Sequence, residues 1–313
     1  MSQTFTSILD RLESTRDVLL HYFPLHSALT DWGKPLEDHL SKWIVEHPGE
    51  YKDAIVQSIE AGCDLVSTST QASSPWRAAV FGLGDRVHDL NYKSAALARS
   101  VMPSDKYLCG FVSSTNPDFL EPVGSLGRAE VYDGYKEQIS ALLEGGVDCI
   151  MIVGNHLDEA LIAVEVSKDL ASAPVVVQNV FYMGRSGYRT MMGHDVATAT
   201  RLAGEAGADI VGASCGLMKE GEPEPGHTGY YEAATSLVRE MRSGYEGFLS
   251  IQPNAGMAQL RDDETCYPAT PGELAKEMGS WIEAGARIIG GCCGTSLDHY
   301  KAMSGVLRGE SWR

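Results

Sequence analysis

"EAGADIVGASC", residues 205–215, carries an acidic residue, a small residue and glycine, followed by an apolar run rich in Val and Ile. The same order recurs as "EAGCDLVSTST" (60–70), "EGGVDCIMIVG" (144–154) and "EAGARIIGGCC" (283–293). Glycine at that position suits the left-handed residue that ends a helix. An apolar run of about six residues reads as a strand covered on both faces, as in a parallel sheet. Each segment is therefore the junction of a helix and a strand.

The flanks agree. In "YKEQISALLEGG" Tyr135, Ile139, Leu142 and Leu143 share one helical face, and in "ELAKEMGSWIEAG" Leu274, Met278, Trp281 and Ile282 repeat the spacing. "TPGE" (270–273) offers Thr as N-cap, Pro in the first turn and Glu at the third position, a helix start. Four further strands are expected at "DVLLHYF" (17–23), "YLCGFVSS" (107–114), "PVVVQNVF" (174–181) and "GFLSIQPN" (247–254). Eight strands alternating with helices predict an α/β fold, a single-domain (β/α)8 TIM barrel over residues 1–313, with an open doubly wound sheet as the competing arrangement. No linker or low-complexity tract divides the chain, and "KEGEPEPGHTG" (219–229) reads as a loop after the sixth strand.

Bulk properties narrow the function. Hydrophobic residues make up 43% of the 313, enough for a large core. No apolar stretch approaches the ~20 residues of a membrane span. The charged N-terminal stretch does not resemble a signal peptide, so a cytoplasmic location is expected. The seven cysteines are then expected to be reduced thiols. A net charge of −17 without a basic cluster argues against nucleic-acid and anionic-membrane partners.

The repeat frames align Thr70, Gly154, Cys215 and Cys293 at the carboxyl ends of strands, the face where a barrel carries its active site. Cys215 is expected to end the sixth strand and Cys292–Cys293 the eighth. Neighbours in a regular strand point to opposite faces, but Gly290, Gly291 and Gly294 let the backbone leave the pleat. Two readings stand: buried core thiols, or three ligands converging on one metal ion. As ligands, three cysteines with an open fourth position describe a catalytic zinc site, and thiolates favour zinc over hard cations. Cys63, Cys109, Cys149 and Cys266 read as structural.

"GGCCGT" (290–295), the lone cysteine ending "ADIVGASC" (208–215) and "QPNAG" (252–256) resemble the homocysteine S-methyltransferase family. "VEHPGEYKDAIVQSIEAGCDLVSTST" (45–70) and "GYRTMMG" (187–193) extend the likeness over nearly the whole chain. The family comprises betaine- and S-methylmethionine-dependent enzymes and the homocysteine domain of cobalamin-dependent methionine synthase. The resemblance implies a TIM barrel, zinc held by Cys215, Cys292 and Cys293, and transfer of a methyl group from an activated donor to a zinc-bound thiol, homocysteine, in methionine biosynthesis. Its implied partners are a small-molecule thiol acceptor and a methyl donor.

Three places depart from the family pattern. "LLHYFPLHSAL" (19–29) stands where a glycine-rich Asp-Gly stretch is usual. Gly154, followed by Asn155 and His156, stands where a glutamate usually holds the homocysteine amine. Gln71 and Ala72 stand where the betaine branch carries aromatic residues. The candidate substrate-binding residues are accordingly Asn155, His156, Gln178, Tyr182 and Asn254. His21, Asn179, Gln252 and Arg185 lie at or near the same rim, and Trp76 reads as packing. The alternatives are a thiol other than homocysteine, a separate corrinoid protein as methyl carrier, and a non-catalytic zinc-binding or redox-sensing barrel.

Overall fold

A computed structural model of the chain describes residues 5–22, 38–113, 120–122, 124–154, 156–216, 228–261 and 264–309. Eight parallel strands close on themselves: β1 (Leu19–Tyr22), β2 (Leu65–Ser67), β3 (Tyr107–Ser113), β4 (Cys149–Gly154), β5 (Val175–Asn179), β6 (Ile210–Ser214), β7 (Phe248–Gln252) and β8 (Ala286–Gly290). Closure is made by β8 against β1, with Leu19 opposite Ile288 and His21 opposite Gly290. That pairing excludes the open doubly wound sheet. Strands are shorter than their apolar runs, and β2 stops at Ser67, so Thr70 lies beyond the strand rather than at its tip. Two short hairpins, Tyr182–Gly184 with Gly187–Arg189 and Gln259–Arg261 with Glu264–Cys266, follow β5 and β7. Cys266, expected in a loop, is on the second of these. Most of the loop expected at 219–229 lies outside the described residues.

The repeat glycines behave as their sequence predicts. Gly62, Gly146, Gly207 and Gly285 have φ of +101°, +90°, +108° and +112°, turning the chain from each helix end into β2, β4, β6 and β8. The expected helices appear as Arg128–Glu144 and Pro271–Glu283, the latter opened by a reciprocal Thr270–Glu273 capping box with proline in its first turn.

Two residues past each glycine sits a side chain that ties neighbouring strands together. The backbone N–H of Leu20 donates to Asp64 Oδ2 (3.1 Å), that of Leu108 to Asp148 Oδ2 (2.7 Å) and that of Val175 to Asp209 Oδ2 (2.8 Å). Each aspartate is met by cations: Arg11 and Lys106 on Asp64, Arg99 on Asp148, Lys168 on Asp209. The fourth repeat has Arg287 instead. It donates to the carbonyls of Asp17 (2.8 Å), Leu12 (3.1 Å) and Thr15 (3.0 Å), in the last turn of helix α1 (Ile8–Ser14) and the segment that leaves it. Helix α1 inserts Ile8 and Leu12 among Leu19, Leu65, Phe111, Met151, Val176, Ile210 and Ile288 inside the barrel. The amino end of the barrel is thus plugged and stitched. Among the described residues no helix is long and apolar enough to cross a membrane.

Replacing Arg287 by Met leaves three carbonyls without their shared charged donor. It is expected to cost about 2 kcal/mol of stability, given 1.5–3 for a hydrogen bond to a charged group. Urea denaturation reads this directly, and an unchanged midpoint counts against the stitching role.

Candidate metal centre

Strand β6 ends at Ser214, and Cys215 follows with φ +55°. That left-handed conformation costs a non-glycine residue on the order of 1 kcal/mol and turns the chain sharply at the barrel rim. The backbone N–H of Cys215 donates to Gln252 O at the end of β7 (3.2 Å). From the other side, Cys292 N–H donates to Pro253 O (2.8 Å), Cys293 N–H to Asn254 Oδ1 (3.0 Å), and Ala255 N–H to Cys293 O (2.9 Å). The segment leaving β7 is therefore the anvil on which both cysteine turns are fixed. The cysteine pair lies just past β8, which ends at Gly290, rather than within it. Once out of the pleat, both thiols turn to one side. Gly294 has φ +77°, and a Cβ there would lie 2.2 Å from Cβ of Tyr267.

Cys215 Sγ and Cys292 Sγ each lie 3.9 Å from Cys293 Sγ, and all three sulfurs lie within 4.8 Å of one another. Zinc–sulfur bonds of about 2.3 Å at the tetrahedral angle separate their sulfurs by about 3.8 Å, so the cluster has the size of one face of a zinc tetrahedron. Among the described residues no fourth His, Cys, Asp or Glu joins the group. Cys292 is buried, whereas Cys215 and Cys293 are partly open to solvent.

The thiols perturb one another strongly. S–H groups of Cys215 and Cys292 hydrogen-bonded to Cys293, then the Tyr267 hydroxyl, pull Cys293 down to about 3 against the opposing effect of burial. Cys292 is pushed well up by its hydrogen bonds with Cys215 and Cys293 and by burial. Cys215 also rises, because its hydrogen bond to Cys293 and burial outweigh the lowering contact with Cys292. Three tyrosines close on the group. Tyr182 lies near enough to Cys215 for that thiol, after burial, to push its phenol up. The buried Tyr230 accepts from Asn254 N–H (3.0 Å) and is raised first by burial, with Cys215 and Cys292 adding to it. Tyr267 packs beside Gly294 on the cysteine turn, and its phenol is raised first by burial, with Cys293 adding to it.

Residues 30–307 match the family described as homocysteine S-methyltransferase. The chain belongs to that family. It is 27% identical over 262 residues to a methionine synthase of Mycobacterium leprae and 26% identical over 259 residues to one of Mycobacterium tuberculosis. Each match takes in 79% of this chain and 20% of the relative, so the chain spans about a fifth of the length of these methionine synthases. Among solved structures it shares its fold with the homocysteine methyltransferase MmuM from Escherichia coli. The metallated form gives a TM-score of 0.75 at 18% identity over 95% of this chain and 99% of that one. The oxidized form gives 0.73 at 19% over 94% and 97%.

Of the residues singled out in the sequence, Cys215, Cys292, Cys293, Asn254 and Tyr182 come together in this homocysteine S-methyltransferase barrel. Asn155 lies outside the described residues, as do residues 23–37, which include most of "LLHYFPLHSAL". His156 is buried at the N-terminus of helix α7 (Leu157–Leu170), its pKa lowered by burial and by His194 against the pull of Asp158. Gln178 is an interior residue of β5 whose amide donates to Ser250 Oγ (2.7 Å). His21 is not at the rim but inside the barrel. Gln252 Nε2 donates to its Nδ1 and its Nε2 donates to Ser67 Oγ, both at 2.7 Å, which assigns the tautomer. Burial pushes its pKa down to about 3, so it is a neutral structural link. Trp76 packs edge-on against Tyr135, and Arg185 is exposed. Cys63, Cys109 and Cys149 are buried in the core.

Sequence reasoning missed Tyr230 and Tyr267. Both come from segments with no catalytic pattern, and only the folding of the chain over β6 to β8 brings them to the sulfurs. Five polar atoms, His156 Nδ1, Gln178 Oε1, Asn179 Nδ2, Ser214 Oγ and Gln252 Oε1, are buried without a hydrogen-bond partner among the described residues. Buried polar atoms of this kind ask for partners.

Two outcomes are expected. Unfolded histidine binds a proton near 6.5 and His21 in the barrel only near 3, so the unfolded chain binds more protons between those values. Stability is therefore full above pH 6.5 and falls below it, by up to about 1.4 kcal/mol per pH unit. His21→Gln should flatten that part of a stability–pH curve; a parallel curve would deny it. Zinc uptake near neutral pH should release protons, because burial and the mutual contacts of the thiols raise Cys292 and Cys215. Calorimetry in buffers of different ionisation enthalpy counts them, and a release near zero would refute the three-thiol site.

Proposed function

We propose that the chain is a zinc-dependent methyltransferase that moves a methyl group from an activated donor to a thiol held at Cys215, Cys292 and Cys293. The observation that carries this reading is the three sulfurs at tetrahedral-edge spacing, two of them open to solvent, at the carboxyl rim of the barrel. We further infer that the whole of residues 1–313 acts as a single barrel domain in the cytoplasm, where its thiols stay reduced.

Bound to the three thiolates, zinc supplies a lowered thiol pKa, which keeps an incoming acceptor as a thiolate at neutral pH. The remaining work falls to the chain. Asn254 holds Cys293 through its backbone N–H, and the β7 exit holds Cys215 and Cys292, so the sulfurs are preset rather than gathered on binding. Tyr182, Tyr230 and Tyr267 wall the group and limit water around it. The acceptor sulfur attacks the methyl carbon in line as the bond to the donor's leaving atom breaks, and the electron pair leaves with that atom. No general base is needed, because the lowered pKa would let the acceptor thiol release its proton to solvent before the transfer.

The polar end of the acceptor would be met by neutral groups. His156, Asn179, Gln178, Gln252 and Ser214 carry buried donors and acceptors suited to an amino-acid or other polar tail. Homocysteine is the acceptor that family membership favours. Gly154 supports a second reading, a different thiol, since a buried ammonium without a carboxylate partner costs several kcal/mol. Even a Cβ at 154 would come within 3.2 Å of Ala160, so helix α7 packs closely where a longer side chain would stand. The donor class, whether betaine, sulfonium or methyl-corrinoid delivered by a separate protein, belongs to the same proposal.

Incubating zinc-loaded protein with a panel of betaines, sulfoniums and methylcobalamin crossed with thiols, and reading products by mass spectrometry, tests the activity. Methionine formed from homocysteine establishes the first reading, and methylation of other thiols alone establishes the second. Cys292→Ala should abolish either by at least 100-fold together with zinc uptake. Turnover unaffected by that substitution would end the proposal.

A further inference from the structure

Tyr230 lies in the first turn of the helix Thr228–Gly244, which follows β6 and Cys215 in the chain. That turn is held from outside. Trp281 Nε1–H donates to Tyr231 O (3.4 Å), and the rings of Trp281 and Tyr231 pack with centroids 5.8 Å apart. The ring of Tyr230 in turn meets Tyr231 edge-on, at 5.5 Å. From this seat the phenol oxygen of Tyr230 accepts the backbone N–H of Asn254 (3.0 Å), and both residues are buried. Asn254 passes the constraint on. Its Oδ1 accepts the N–H of Cys293 (3.0 Å), and Cys293 O accepts the N–H of the following Ala255 (2.9 Å). An oxygen brought from the helix after β6 thus steadies the turn after β7 on which the cysteine pair after β8 is seated. Without that oxygen the Asn254 N–H would be an orphaned buried donor, and the turn would have to move to find another acceptor.

We propose that Tyr230 is a positioning residue for the metal centre, acting through Asn254 to hold Cys293 in register with Cys215 and Cys292. The inference rests on the zinc methyltransferase reading and deepens it by naming a group outside the ligand set that fixes the site before metal arrives. Cys293 is the member shared by both 3.9 Å sulfur contacts, so its displacement opens both. The backbone N–H groups of Cys215 and Cys292 are fixed by main-chain carbonyls, those of Gln252 and Pro253. That of Cys293 is fixed by a side chain, whose own residue is fixed by another side chain. Metal sites tolerate only about 0.2 Å of misfit in ligand distance. Loss of an outer group that orients a ligand typically costs 10–100-fold in affinity or activity.

Tyr231 supplies a matched control, because its phenol oxygen is buried one residue away with no hydrogen-bond partner among the described residues. Wild type, Tyr230→Phe and Tyr231→Phe are titrated with zinc against a chromophoric chelator, and with cobalt(II) for its absorption spectrum. Tyr230→Phe should weaken zinc binding on the order of 10-fold. It should also shift the ligand-field bands of bound cobalt, whose position and intensity follow ligand geometry. Tyr231→Phe should do neither. A phenol that merely supports packing would lower the melting midpoint of the metal-free protein and leave the cobalt bands in place. The route is tested in Asn254→Ala, which deletes the contact to Cys293. Adding Tyr230→Phe there should weaken zinc by no more than about 3-fold further, because two changes on one path are not additive. Equal zinc affinity and coincident bands in wild type and Tyr230→Phe overturn this inference and leave the metal reading standing, as does a full second loss in the double variant. Should Tyr230→Phe not fold, Asn254→Ala decides alone, and wild-type zinc affinity in it overturns the inference. A wild type that takes up neither zinc nor cobalt overturns the metal reading beneath it as well.

Discussion

Closure of the sheet between β1 and β8 is the constraint on which the rest depends. Pairing of Leu19 with Ile288 and His21 with Gly290 fixes where β8 ends relative to the rest of the rim. With β7 lying between β6 and β8, the turns after those two strands become next-but-one neighbours. Residues 78 positions apart in the chain then hold sulfurs 3.9 Å apart. In an open sheet the two outer strands would have an edge each, and β1 could not brace the end of β8. The cluster of three sulfurs is a consequence of the circle, because a closed ring of strands converts chain-distant ends into one rigid rim.

The two ends of that ring use opposite electrostatics. At the amino end, Asp64, Asp148 and Asp209 accept strand N–H groups and are neutralised by Arg11, Lys106, Arg99 and Lys168. Arg287 ties the plug helix in place with three carbonyl contacts. These are fully paired charges, and their work is register and stability. Toward the carboxyl end the interior is lined by neutral groups, His21, Ser67, Gln178, Ser250 and Gln252. They are linked by short hydrogen bonds yet leave several polar atoms unmatched. Unmatched polarity is costly in a core and useful beside a ligand.

The chain belongs to the homocysteine S-methyltransferase family, and three sulfurs meet at one point of its rim. The polar groups deeper in the barrel are neutral. His21, buried and neutral, links β1 to β2 and β7, and Gly154 lets helix α7 pack closely against the end of β4.

The sequence alone determined the repeating helix–glycine–strand unit, since a left-handed glycine and an apolar run are local signals and φ at Gly62, Gly146, Gly207 and Gly285 obeys them. It also singled out Cys215, Cys292 and Cys293, whose frame matched the strand ends, and the fold brings their sulfurs within 4.8 Å of one another. What it left undecided was closure against an open sheet, which depends on whether β1 meets β8. It placed Cys292 and Cys293 on the strand, whereas the strand gives way at Gly290 once pairing runs out. It assigned the repeat's aspartates no partners, for the N–H groups they bind lie on other strands. Tyr230 and Tyr267 carried no pattern at all. Only the tertiary structure brought them to the sulfurs, because proximity across a rim is set by the sum of all strand registers and appears in no single window of the chain.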